Sequence, residues 1–350
     1  MFNINCTLYP LYFSPIMPLS MLTKGLAAAS NAMMSPLRDA GVRMRNVFVI
    51  VLVILGFVAG PLTEDAMAAT KKPVAGKKHH KKKPVARKVH ASLEDAQSLL
   101  VQSSSALVVD QSTGAVLYEK NADAVVPIAS ISKLMTAMVV LDAQPSLQET
   151  LSVTSEDVDS LKGTRSRLKV GTQLTREQML HLALMASENR AALSLSRSYP
   201  GGRPAFVAAM NRKAQALQLA DTHFEDPTGL TSANVSSARD LVKLVAAAQQ
   251  YPLIREFTTA VEYEVTVGGR EQTFHNTNSL VKNPAWEIGL SKTGYINEAG
   301  KCLVMQAWLN NKPTVIVLLD SWGKLTRIGD AIRIKRWVES AALPQRATAG

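Results

Sequence analysis

From Ser105 the apolar residues run in short stretches of strand type. Ser105-Ala-Leu-Val-Val-Asp110 and Ala115-Val-Leu-Tyr-Glu-Lys120 flank the turn residues Gln111-Ser-Thr-Gly114 and read as a hairpin. After Pro127 the period lengthens, and Leu134, Met138 and Leu141 fall at helical spacing within Lys133 to Ala143. Arg176 to Ala186 and Pro204 to Leu217 also carry apolar stripes, so the middle of the chain reads as mostly helical. Strand signals return after about residue 260 and end in a second hairpin, Cys302 to Leu309 and Pro313 to Asp320 around the turn Asn310-Asn311-Lys312. A last helix over about Thr326 to Ala341 closes the pattern. Strands at both ends with helices between them predict an α+β fold: one antiparallel sheet built from the two termini, flanked by helices, with a helical subdomain. No internal repeat is visible.

The N-terminal third does not belong to that pattern. Val47 to Gly60 is an apolar run behind Arg43 and Arg45, followed by Ala66-Met67-Ala68, which is the layout of a signal peptide cleaved after Ala68. Its 14 residues are short for a bilayer span, which needs about 20. Met21, Met33, Met34 and Met44 each offer a later start, which predicts that the written N-terminus is longer than the translated one. Residues 69–90 carry nine Lys or Arg and no acid, so most of the formal net charge of +11 sits there and residues 91–350 are close to neutral. That distribution argues against nucleic acid, whose binding needs a basic face on the folded domain. The stretch reads instead as a disordered linker, with residues 71–88 offering weak contact to anionic lipid or wall polymer. The expected organisation is therefore 1–68 upstream extension and signal, 69–90 linker, 91–342 folded domain and 343–350 tail. Of the two cysteines, Cys6 leaves with the signal, so the exported domain has no internal disulfide, and Cys302 lies in an apolar run as a small core residue.

Candidate chemistry begins at Ser130-Ile-Ser-Lys133, where strand gives way to helix, with Pro127 just before it as a first-turn residue. Residues three apart share a helix face about 5–6 Å apart at Cβ. The Lys133 amine can therefore reach the Ser130 hydroxyl and act as its base, provided burial or a nearby cation keeps that amine neutral. Spacing alone does not select this pair, since Ser166/Lys169, Ser279/Lys282 and Ser321/Lys324 share it; only Ser130 leads into an apolar helix. Ser187-Glu188-Asn189 directly follows the run ending at Ala186, and its hydroxyl and amide could relay a proton and hold a carbonyl. Ser232-Ala-Asn234 repeats that spacing. Lys292-Thr293-Gly294 occurs once, placed at the start of an edge strand, where charge and hydroxyl could hold a carboxylate and Gly294 would admit a substrate backbone.

The order Ser-x-x-Lys, Ser-x-Asn, Lys-Thr-Gly resembles that of the penicillin-binding proteins and serine β-lactamases. The segments PIASISKLMTAMVVLDA, LALMASENRAA, DPTGLTSANVSSARDL and LSKTGYINEAGKCLVM resemble the low-molecular-mass serine D-Ala-D-Ala peptidases over about residues 100–340. In that family the DPTGL segment follows the middle motif, which selects Ser187 over Ser232. The resemblance is greatest to the periplasmic D-alanyl-D-alanine endopeptidases, which implies a β-lactamase/DD-peptidase fold and hydrolysis of D-Ala-diaminopimelate crosslinks between stem peptides. By it, Ser130, Lys133 and Ser187 are catalytic, Asn189, Lys292, Thr293, Gly294 and Tyr295 bind substrate, and the backbone N–H groups of Ser130 and Tyr295 hold the oxyanion. No metal or organic cofactor is implied, and His181, His223 and His275 lack ligand spacing. Peptidoglycan is the implied partner, with β-lactams as covalent inhibitors. Carboxypeptidase relatives add a β-rich domain and a C-terminal anchor, for which the 56 residues after Gly294 are too few. No Glu-x-x-Leu-Asn lies between Ser187 and Lys292, which argues against efficient β-lactam hydrolysis. A D-Ala-D-Ala carboxypeptidase and a non-catalytic wall-binding module remain the alternatives.

Overall fold

The computed structural model describes residues 99–341. The expected signal peptide, basic linker and C-terminal tail lie outside the described residues. The chain opens with the expected hairpin, β1 (Ser105–Asp110) and β2 (Val116–Lys120), and a short β3 (Val126–Pro127). A 3-10 turn over Ala129–Ile131 runs into helix α1 (Ser132–Asp142). β4 (Thr150–Ser152) and β5 (Gln173–Thr175) pair with each other and lead to α2 (Arg176–Met185), α3 (Asn189–Arg197) and α4 (Gly202–Ala216). β6 (Val235–Ser236) pairs with β3, α5 (Ala238–Ala248) and α6 (Pro252–Thr259) follow, and β7 (Glu262–Val267) and β8 (Arg270–His275) form a separate hairpin. β9 (Ile288–Ile296), β10 (Gly300–Leu309), β11 (Lys312–Ser321) and α7 (Thr326–Ala341) complete the chain.

The main sheet has the order β2-β1-β11-β10-β9 and is antiparallel throughout. It joins the two ends of the folded chain, as the strand signals predict, and β9 is left at its edge. Alternation along the strands gives each face its own core. Leu107, Val109, Val304, Val315 and Val317 face Ile128, Leu134, Met138 and Leu241, while Ala106, Val108, Leu303, Met305, Ile316 and Leu318 face Ala331 and Ile334 of α7. α5 lies against β1, β10 and β11, and α1 is enclosed by α2, α3, α4 and α5. Each fully buried aliphatic side chain here contributes about 1.5–3 kcal/mol. No described helix is long and apolar enough to cross a membrane.

Local chemistry fixes the helix starts around the cleft. Thr175 caps α2 by accepting from Gln178 N–H at 3.2 Å while its own N–H donates to Gln178 Oε1 at 2.9 Å. The fully buried carboxylate of Asp157 receives Arg197 Nη2 of α3 at 2.9 Å, tying the segment after β4 to that helix. Two expectations of position need correction. Pro127 lies in β3 rather than in the first helical turn, because the chain still has to pair with β6 before it folds back. Lys292-Thr293-Gly294 sits inside β9 rather than at its start, since the ladder to β10 already begins at Ile288.

Candidate active site

Ser130 is carried by the 3-10 turn, one residue after Ala129, whose φ of +48° is unusual for a residue with a Cβ. Two glycines close in on that turn. A Cβ on Gly229 would lie 1.8 Å from the Ala129 carbonyl oxygen, and one on Gly294 would lie 2.8 Å from Ile128 O and 3.1 Å from Ser130 N. Only glycine permits this approach, so the strand edge and the loop before β6 press the serine into place from two sides.

Lys133, one turn on, is buried and its Nζ lies 2.9 Å from Ser130 Oγ, 2.7 Å from Asn189 Oδ1 and 2.9 Å from Thr228 O. Burial pulls its pKa from 10.5 down to about 7, against the partial counterpull of Asp226 and Glu188. An ammonium donates to all three oxygens. A neutral amine has two N–H groups and one lone pair, so with both hydrogens on the two carbonyl oxygens the lone pair is left for the Ser130 hydroxyl proton. The arrangement can therefore activate the serine near neutral pH.

Ser187 sits in the turn between α2 and α3 with φ +59°, and Asn189 is the first residue of α3. Lys292 Nζ donates to Ser187 Oγ at 3.0 Å and to Thr293 O at 3.1 Å, which places the middle motif opposite the edge strand. The Lys292 pKa is pushed well down, first by burial and then by the charges of Lys133 and Arg327. Thr293 Oγ1 donates to Thr277 Oγ1 at 2.6 Å. Seven of the eight expected residues thus converge through side chain or Cα on one cleft. Tyr295 differs: its ring is exposed and its hydroxyl donates to Asn297 Oδ1 at 2.8 Å, so only its backbone adjoins the serine turn.

Several supporting residues escape a reading based on three motifs. The DPTGL segment presents Thr228 O to Lys133. Asp226 shapes it by accepting from Gly229 N at 2.7 Å, Thr231 N at 2.8 Å and Thr228 Oγ1 at 2.6 Å. Asn234, of the rejected Ser-x-Asn repeat, is fully buried and joins this segment to the helix start, donating to Asp226 O at 2.8 Å and Ser132 Oγ at 2.9 Å. Thr164 accepts from Asn189 Nδ2 at 3.0 Å, and Ser166 donates to Glu188 Oε2 at 2.6 Å. Arg327 of α7 donates to Gly294 O at 2.9 Å and to Cys302 O at 3.2 Å, fixing the edge strand from the far side. The only local sequence signal among these is Asp226-Pro-Thr-Gly229, a turn with a mechanism. Cys302 is buried with its thiol pKa raised to about 11, in line with a core role.

A serine and a buried lysine on one helical turn, faced by Ser-x-Asn and Lys-Thr-Gly across a cleft, define an acyl-enzyme hydrolase. The D-alanyl-D-alanine carboxypeptidase family model matches residues 92–322, and the chain belongs to that family of serine DD-peptidases. The D-alanyl-D-alanine endopeptidase of Pseudomonas aeruginosa is 51% identical over 252 residues, covering 71% of this chain and 81% of that protein. The D-alanyl-D-alanine endopeptidase of Escherichia coli is 50% identical over 242 residues, 69% of this chain and 78% of that one. Among solved structures, the Streptomyces K15 DD-transpeptidase superposes with a TM-score of 0.64 at 28% identity, covering 69% of this chain and 98% of that chain. The expected α+β penicillin-binding fold is the one found, and the chain is a hydrolase of the bacterial cell wall.

Proposed function

We propose that Ser130 is the nucleophile of a DD-peptidase that cuts crosslinks between peptidoglycan stem peptides. The observation that carries this reading is the Lys133 amine, buried, held by two carbonyl oxygens and 2.9 Å from Ser130 Oγ. Ser130 Oγ forms a bond to the D-Ala carbonyl carbon as its proton passes to Lys133. Backbone N–H groups of Ser130 and Tyr295 hold the oxyanion, a contribution of about 3–4 kcal/mol per donor. As the C–N bond breaks, Ser187 relays to the leaving amine the proton that Lys133 took from Ser130, which returns Lys133 to its neutral form, while Lys292 Nζ donates to the Ser187 hydroxyl. Water then attacks the ester, Lys133 accepts its proton, and Ser130 is regenerated. Asn189 orients the substrate amide, while Lys292 and Thr293 take the acid group on the leaving side and Gly294 admits the peptide along β9. The same machinery would capture β-lactams covalently at Ser130.

The crosslink preference is supported by the relatives: those at 51% and 50% identity are named endopeptidases, whereas the Escherichia coli carboxypeptidase DacA is 31% identical. The signal-type segment at residues 47–68 supports export to the periplasm, with residues 69–90 as a tether to the domain. Digestion of crosslinked and uncrosslinked muropeptides, with Ser130→Ala as control, tests the assignment. Loss of dimers is expected. Release of D-Ala from monomeric pentapeptide with dimers intact would assign a carboxypeptidase instead, and failure of a fluorescent penicillin to label Ser130 would leave a wall-binding module.

A further inference from the structure

β9 does not end at the serine. It continues through Ile296 into the turn 297–299 and returns as β10. Lys292, facing Ser187, marks the leaving-group end of the cleft, and Gly294, against Ser130, marks the scissile carbonyl. A peptide lying along this edge must therefore send the part preceding its scissile bond past Tyr295 toward the turn. There the surface opens into a notch of about 390 Å³, lined among others by Tyr295, Asn297, Lys301, Trp322 and Lys324.

Two features of the notch are unexplained by folding. Trp322 is 72% exposed and Tyr295 55%, so two large rings that line the same notch stand largely in solvent. Lys301 pairs with both Tyr295 and Ser321 across the sheet, and its ammonium stands 4.0 Å above the Tyr295 ring. A ring face orients an ammonium without neutralising it. Among the described residues neither Lys301 nor Lys324 has a carboxylate within ion-pair distance. Asp320 lies beneath Gly300, and Glu298, the acid of the turn itself, is engaged by Lys162. The notch thus presents two uncompensated ammonium groups on an aromatic floor.

We propose that this notch binds a carboxylate on the donor strand of the substrate, the peptide segment preceding the bond that Ser130 attacks. The inference rests on the DD-peptidase reading above and adds to it a determinant of which stem peptides are taken. The rings would cover the apolar stem of the acidic residue, and the ammonium groups would hold its charge.

Calorimetric binding to the full chain carrying Ser130→Ala tests the notch without turnover. The probes are a diaminopimelate pentapeptide stem with its donor-strand carboxylates free and the same peptide with them amidated. The free acid should bind roughly tenfold more tightly, the scale of one charge-assisted hydrogen bond. Adding Lys301→Gln and Lys324→Gln should erase that difference while leaving the amidated peptide's Kd unchanged, which also shows the fold intact. Equal affinities at the outset, or a preference that survives the lysine changes, would overturn the proposal. A preference lost only with Trp322→Ala would likewise overturn it and assign the notch to stacking of a neutral group. Penicillin labelling of the unsubstituted chain is read separately, so failure of the DD-peptidase reading and failure of the notch give different results.

Discussion

Titration of Lys133 links the chemistry to the stability of the fold. With its pKa at about 7, the amine is mostly neutral at pH 8.5, and at pH 5.5 only about one molecule in thirty has it so. Acylation by a fluorescent penicillin, followed as a second-order rate on the free enzyme, should fall roughly thirtyfold between those limits, nearly tenfold per unit below pH 7. The same depression has a thermodynamic sign. The folded pKa lies below the unfolded value of 10.5, so between about pH 7 and 10.5 the unfolded chain holds a proton that the folded chain has released. Stability contributed by this group therefore rises with pH across that window, at about 1.4 kcal/mol per unit, and the gain is absent below the folded pKa. From pH 7.5 to 9.5 this amounts to about 2–3 kcal/mol. Lys292 acts with the same sign and is coupled to Lys133, so the informative quantity is the difference between wild type and Lys133→Met, in which the titrations remote from this cleft cancel. Urea unfolding of both at pH 7.5, 8.5 and 9.5 should show a shallower rise in the variant by that amount. Parallel pH dependences, or an acylation rate flat from pH 5.5 to 8.5, would refute the neutral-lysine reasoning.

Other consequences are as direct. Gly294→Ala places a Cβ 2.8 Å from Ile128 O, so the serine turn must shift, and penicillin acylation should drop by roughly a hundredfold with Tm lowered as well; an unchanged rate would show that β9 does not set the serine's position. Asn234→Ala strips partners from the N–H groups of Glu225 and Asp226, and should cost about 2–4 kcal/mol in urea unfolding; a loss near zero would mean the DPTGL segment is held by its own turn alone. Arg197→Ala leaves the Asp157 carboxylate buried with its main partner gone, a loss of about 3–5 kcal/mol by the same measurement, and a near-neutral result would show that Arg203, 3.7 Å away, suffices. Binding of a carboxylate beside Lys292 should oppose the depression of its pKa, so calorimetry repeated across a range of pH in buffers of different ionisation enthalpy should show proton uptake on binding; identical heats throughout would place the acid elsewhere.

The sheet was legible because its central strands are short continuous apolar runs and their hairpin turns carry Gly114 or Asn310-Asn311. α1 and α7 were legible from long apolar stripes. α3 was not, because Ser194 and Ser196 are fully buried and break the stripe while packing as small residues. β3, β4, β5 and β6 are only two or three residues long, below the length at which period two can be seen. At the site, residues within a motif were legible by type and order. Their supports were not, because Thr228 acts through its carbonyl and Thr164, Thr277 and Arg327 act from segments with no motif of their own. A backbone acceptor leaves no trace in side-chain identity. Asn234 shows the opposite failure, a motif-like residue that serves the frame of the site rather than its chemistry.

Two buried lysines in one cleft need a physical reason. Neither Lys133 nor Lys292 forms an ion pair among the described residues, and the charge of Lys133 lowers the tendency of Lys292 to hold a proton. Pairing Lys133 with a carboxylate would have raised its pKa and left the amine protonated, unable to accept a proton. The site instead surrounds Lys133 with carbonyl oxygens, which accept its hydrogens without fixing its charge. Lys292 is left facing a hydroxyl and a backbone oxygen, so the missing anion is one that only a ligand supplies. On the proposed reading an acidic substrate would add charge where Lys292 needs it while leaving Lys133 free to act as base, so that a preference for such substrates and the activation of Ser130 would come from the same electrostatic deficit.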